Sequence, residues 1–347
     1  MNRTGCLKRG LAVGIGLFIT VNLGMLWVLS TMDQPRAWTQ ANAVSLAGVT
    51  GEHDEYSIVA AGGEIFAIGG NFTEHKTGLG SLPAKQSQTA MVRAYDPATG
   101  VWRDCAPLPE PREGGAAVAT DDAIYLFGGT DATSQLTASV MRYEIAANSW
   151  QVLPDAMPQR MHDHTAGVTD GVFYIMGLVQ DSFVVYCWPG GQGWHELKLA
   201  DLDLFMAGSC RATVHGNKLW LTGVMDATRD STWVVAYTLP DSRAVAAVSA
   251  PLPVGPTRSL TQGRERYGVA WCADQLYLMG GHEPSLPGSH SSRSLVSVDV
   301  VDPDTPGWHG ARDLAQHKCW SEAANLPAAV NNRIYFLEQA NATEYLP

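Results

Sequence analysis

The chain has 347 residues, 46% hydrophobic, 16% charged and 9% aromatic, with 35 Gly and 19 Pro. Charge this sparse among aromatics this common excludes a disordered chain, and glycine with scattered Trp and Tyr predicts many short strands joined by tight turns. The formal charge is −11, and residues 31–347 carry 20 basic against 34 acidic side chains, or −14. That balance excludes a general nucleic-acid binder, because phosphate neutralisation needs a basic surface.

In chain order, residues 1–30 come first as a cytoplasmic stub and apolar segment. Leu11 to Leu29 is a 19-residue run without charge, flanked by Arg3, Lys8 and Arg9 on one side and Asp33 on the other. As a helix it spans about 28 Å, close to the thickness of a bilayer's hydrocarbon. The positive-inside rule puts its N-terminus in the cytoplasm. A secretory signal has a shorter apolar core, so the run favours an uncleaved transmembrane or signal-anchor helix, and cleavage would instead release a secreted protein. Residues 31–37 are a tether, and residues 38–347 are the exported, lumenal or periplasmic domain. Cys105, Cys187, Cys210, Cys272 and Cys319 are widely spaced without a C-x-x-C pair, which predicts buried small apolar residues. Cys6 lies on the cytoplasmic flank. Asn71-Phe72-Thr73 and Asn341-Ala342-Thr343 are glycosylation sequons, so Asn71 and Asn341 are candidate attachment points in a secretory lumen.

The domain repeats. Ile65-Phe66-Ala67-Ile68-Gly69-Gly70 is answered by Ile124-Tyr125-Leu126-Phe127-Gly128-Gly129 and by Leu276-Tyr277-Leu278-Met279-Gly280-Gly281. Weaker copies end at Gly177, Gly223 and Leu337, so the first doublet position recurs at intervals of 59, 49, 46, 57 and 57 residues. Tyr95 with Trp102, Tyr143 with Trp150, Tyr186 with Trp194, and Val301 with Trp308 follow four of the copies at a gap of seven or eight. Each unit reads as four short strands that cannot bury both faces alone, which predicts a radial stack of sheets. The doublets, the spacing and the separated Tyr and Trp resemble the kelch family of β-propellers over residues 38–347. The expected fold is therefore all-β, a six-bladed propeller. Its last unit stops where a fourth strand should begin, and the segment around Trp38 is expected to supply that strand and seal the ring.

Enzyme signatures are absent: there is no G-x-S-x-G, H-E-x-x-H, P-loop or EF-hand pattern, and no cofactor or metal is expected. His162-Asp163-His164 would set two imidazoles on one face of a strand, but no third ligand follows by spacing. The chain also resembles the sialic acid mutarotase (N-acetylneuraminate epimerase) group, exported six-bladed kelch propellers that carry an acid and an arginine just after the fourth blade's second strand. The resemblance implies Asp226 as base and Arg229 as carboxylate partner if the chain is a sugar-acid enzyme. The leading expectation is a binding platform for a protein or an acidic glycan. Long connections at residues 71–90 and 282–296 fall on the face where the interblade linkers emerge, and such loops commonly carry binding residues. The linkers bring Arg112, Arg160, Arg211, Arg264 or Arg266, and Lys318 to that face, a predicted basic ring at the channel mouth suited to anions. The alternative is that each arginine braces a loop through carbonyls or a nearby acid.

Overall fold

A computed structural model describes residues 51–74, 85–179, 182–199, 210–223, 231–239, 258–259, 263–283, 293–303, 307–314, 327–338 and 341–347. All of them belong to the unit Gln40–Pro347. The apolar run at residues 11–29 and the segment around Trp38 lie outside the described residues. Among the described residues no helix is long and apolar enough to cross a membrane.

The unit is all β. Blade one contains β2 (Ser57–Ala61), β3 (Glu64–Ile68), β6 (Val92–Asp96) and β7 (Val101–Asp104), while β1 (Gly51–Asp54), β4 (Asn71–Glu74) and β5 (Lys85–Gln88) form a separate sheet. Blade two is β8 (Ala116–Ala119), β9 (Ala123–Phe127), β10 (Val140–Glu144) and β11 (Ser149–Val152). Blade three is β12 (Thr165–Thr169), β13 (Val172–Val179), β14 (Ser182–Trp188) and β15 (His195–Glu196). Blade four is β16 (Arg211–His215), β17 (Lys218–Gly223), β18 (Trp233–Thr238) and β19 (Arg258–Ser259). Blade five is β20 (Gly268–Cys272), β21 (Gln275–Met279), β22 (Val298–Val301) and β23 (Trp308–Gly310). Blade six shows β24 (Ala328–Val330), β25 (Arg333–Glu338) and β26 (Asn341–Tyr345). Every blade is an antiparallel meander, as the six-fold register predicts.

The second strands read as unbroken apolar runs because both of their faces are covered. In β9, Ile124 and Leu126 pack with Phe66 and Ile68 of blade one, while Phe127 packs with Phe173 and Ile175 of blade three. Alternate side chains on a strand point to opposite faces, so one five-residue run serves two interfaces. The same division recurs around the ring, with an apolar cluster at each of the six junctions between neighbouring blades. The junction of blades six and one sets Tyr56 and Ile65 against Val330, Tyr335 and Leu337, so this interface closes through residues of the two blades themselves.

The Tyr–Trp signal marks paired positions on the third and fourth strands. Tyr95 lies opposite Trp102 and Tyr143 opposite Trp150, with ring centroids 5.2 and 4.9 Å apart. Trp150 also donates its indole N–H to the Ala106 carbonyl at 3.0 Å, tying blade two to the linker before it. Blade three departs from this pattern. Its eight-residue gap leaves Tyr186 opposite Glu196, and Trp194 stacks instead on Trp188 at 5.5 Å.

The doublets close the interblade joints. Gly70 N–H donates to the Arg112 carbonyl at 2.6 Å and Gly129 N–H to the Met161 carbonyl at 2.8 Å, each on the linker into the next blade. Gly69 and Gly129 have φ of +67° and +88°, and a Cβ at either would overlap a linker carbonyl. Glycine is required there for both reasons.

Candidate functional site

The first strands of all six blades surround an axial channel of about 410 Å³. The doublets, the interblade linkers and the connections between second and third strands lie at one end of it. On blade one that end is built up. Past Gly69-Gly70 the second strand continues as β4, which pairs with β1 ahead of the first strand and with β5 ahead of the third. The stretch expected as a loop at residues 71–90 is thus partly a sheet, in which β1–β4 keeps the register of β2–β3 beneath it while β4–β5 is offset by one residue from β3–β6. Blades two and five carry the first rung of the same extension: Glu113 bridges Thr130 and Thr130 bridges Leu136, and Glu265 bridges His282 and His282 bridges Ser294. Glu113 fastens the built-up sheet to blade two, accepting from Gln88 Nε2 at 2.8 Å and Asn71 Nδ2 at 3.4 Å.

The predicted basic residues do not share one register. Ala116, Thr165, Arg211 and Gly268 each pair with the residue just before a doublet position, which aligns the first strands. On that count Arg112 and Arg264 are equivalent, Met161 takes their place in blade three, and Arg160, Arg211 and Arg266 fall at three other levels.

Their environments differ accordingly. Arg264 is fully buried and spends its fork inside blade five, on Asp299 Oδ2 (2.6 and 3.1 Å), the Gly280 and Ser297 carbonyls (2.8 and 3.1 Å) and Ser297 Oγ (2.8 Å). Arg112 is also buried, with Nη2 donating to Ser139 Oγ at 2.9 Å and to Glu110 at 3.4 Å, and burial lowers its guanidinium pKa. Arg211 is buried too, donating to the Tyr267 and Cys210 carbonyls at 3.4 and 3.3 Å. These three brace linkers and strands, in line with the alternative reading. Arg160 and Arg266 are exposed. Lys318, Asp226 and Arg229 lie outside the described residues.

His162-Asp163-His164 does not form a strand face. Asp163 has φ +52° and β12 begins only at Thr165, so the two imidazoles diverge: His162 is half-exposed beside Asp163 (3.2 Å) while His164 is 1% exposed. Burial, the dominant cause, pulls the His164 pKa down to about 4. No group of three or more His, Cys, Asp or Glu residues arranged for a metal occurs among the described residues. Cys105, Cys187, Cys210 and Cys272 are free thiols, and burial raises the pKa of each. Asn71 is 6% exposed with its amide nitrogen turned to Glu113, and Asn341 falls in β26.

Trp271 was not singled out by sequence reasoning. It occupies the fourth position of β20 and lines the channel, where the equivalent residues are Ala60, Ala119, Val168 and Val214. A tryptophan among small residues in aligned first strands is the signal that could have found it.

Comparison with known proteins agrees with this architecture. Residues 111–157, which hold blade two, match the kelch motif. The chain is 26% identical to alpha-scruin of Limulus polyphemus over 71% of its own length and 29% of that protein's. It is 36% identical to human Kelch-like protein 21 over 28% of its length and 16% of that protein's. The chain thus spans a third or less of these curated relatives. The solved structure of YjhT superimposes with a TM-score of 0.58 at 15% identity, covering 85% of this chain and 93% of that one, a likeness of fold.

Proposed function

We propose that this kelch-repeat propeller is a protein-binding platform, held at a membrane by the apolar run at residues 11–29, and that it grips its partner with the doublet-bearing face. The observation that carries the reading is the built-up sheet of blade one. A rigid ring supports β1, β4 and β5 above its surface, and Glu113 fixes them to the next blade. Irregular or added structure on a rigid scaffold is where recognition residues concentrate. Arg160 and Arg266, exposed on linkers of the same face, favour an acidic segment of the partner.

Charge reversal tests this. The full chain, immobilised, is used to measure affinity for a library of acidic peptides. Arg160→Glu and Arg266→Glu together should weaken the tightest binders by about tenfold, and more strongly at low salt where attraction is least screened. Lys218→Glu, at the start of β17 and the opposite channel end, should leave binding unchanged. Equal effects of the two reversals, or preference for an acidic glycan over every peptide, would overturn the assignment.

A further inference from the structure

The sheet built up on blade one copies three of the four strands beneath it. β1, β4 and β5 stand above β2, β3 and β6, and among the described residues no strand continues the sheet above β7.

The backbone of residues 85–92 shows what that fourth place offers. Along a strand, successive residues turn their N–H and C=O groups to opposite edges. The Met91 carbonyl accepts from Gly69 N–H, and Thr89 N–H donates to the Gly70 carbonyl, both at 2.8 Å, so these two residues face the doublet. Val92 and Ala90 face the other way. Their carbonyls accept from Cys105 N–H at 2.9 Å and Leu108 N–H at 2.8 Å. The chain after β7 thus holds the fourth place as far as Leu108. It then leaves this edge as the linker into blade two, where Arg112 bonds to Gly70 and Thr89.

The alternation carries on into β5. Ser87 and Lys85, opposite Phe72 and Glu74, turn their backbone groups to β4, and Gln88 and Gln86 turn theirs outward. These are the next two rungs after Val92 and Ala90, and no backbone group among the described residues meets them. They lie about 7 Å apart, the repeat with which a neighbouring strand presents its own groups. An open edge of this kind is a template for an added strand. Lys85-Gln86-Ser87-Gln88 is polar and carries one cation and no acid, which favours an acidic neighbour. A second copy of β5 would bring like charge to the same edge.

We infer that an extended, polar, acidic segment of the protein partner completes this sheet as its fourth strand, bound main chain to main chain through Gln86 and Gln88. The inference rests on the protein-binding reading and adds how the segment is held.

The probe is a capped peptide of about ten residues that alternates threonine, for extension, with glutamate, for charge. Two analogues keep its side chains: one is N-methylated at every residue, the other at alternate residues, which leaves one edge of the strand intact. For the immobilised full chain, complete methylation should weaken binding by at least about tenfold and alternate methylation by no more than about threefold. Gln86→Pro removes one outward N–H and leaves the bonds to β4 in place. It should weaken the probe about fivefold relative to Gln86→Ala, which keeps that N–H. In amide hydrogen exchange the probe should slow Gln86 and Gln88, and leave Lys85 and Ser87 as they were. Equal binding of all three peptides would show capture by charge alone, overturning the inference while leaving the platform reading intact. Loss on complete methylation, with no effect of Arg160→Glu and Arg266→Glu, would support the edge and remove those arginines from the grip. No binding at about 1 mM probe would overturn the inference. So would a dimer in light scattering that protects Gln86 and Gln88 without peptide, which would assign the edge to a second copy.

Discussion

A guanidinium removed from water must find its partners in the chain, and Arg264 finds them while Arg112 does so only in part. The two stand at equivalent positions, with Ser297 and Ser139 as equivalent partners, but Asp299 in blade five is replaced by Met141 in blade two. Arg264→Met should therefore strand a buried Asp299 carboxylate and cost about 3–5 kcal/mol, whereas Arg160→Ala, on the surface, should stay within about 0.5 kcal/mol. Urea titration separates the two outcomes, and a second change of Asp299→Leu should restore much of the loss. The sequence put Arg211 on a linker, although it opens β16, and it could not tell buried Arg112 and Arg264 from exposed Arg160 and Arg266. Burial depends on a register of one or two residues against the doublet, and the linkers differ in length. His164 carries a related consequence for pH. Its pKa is about 4 in the fold against an ordinary value near 6.5, so above pH 6.5 it is neutral in folded and unfolded chains alike. Between pH 6.5 and 4 only the unfolded chain takes up the proton. Stability should fall by about 3 kcal/mol as pH drops across that window and level off below it. Comparing the wild type with His164→Gln by urea titration at several pH values isolates this contribution, and parallel profiles would refute it.

At the scale of elements, strand identity was legible wherever both faces are buried. The apolar runs before the doublets are β3, β9, β13, β17, β21 and β25, and the Tyr and Trp positions mark paired strands in three blades. The sheet above blade one was not legible. Gly51-Glu52-His53-Asp54 and Lys85-Gln86-Ser87-Gln88 are polar throughout, and no apolar alternation announces them. What defines these strands is their position: each continues a strand of the blade across a glycine or a short break, so pairing is inherited from below. That origin makes a specific prediction. Glu74 lies opposite Lys85, so replacing residues 75–84 with Asn-Gly joins them by a two-residue turn suited to the twist of a hairpin. The melting temperature should change by no more than about 3 °C. A large loss would show that residues 75–84, not the blade, hold the sheet in place.

For the whole molecule, the six-fold period was readable because every interface asks for the same run of residues, and the doublets repeat because every joint brings a linker carbonyl against the second strand. The chemistry of the central channel was hidden, since it is made of backbone edges and of side chains far apart in sequence. The ring arrangement has a further consequence, for how the protein comes apart. Each apolar cluster is shared by two blades, and the chain of clusters has no end. To release the first blade, two clusters must rupture together, whereas in a linear stack of repeats the terminal unit detaches by breaking one. Once a gap exists, each further blade leaves by breaking only one more. The first rupture is thus the slow step and the rest follows downhill, so lifetime in the folded state is governed by the barrier to breaking both joints of one blade at once.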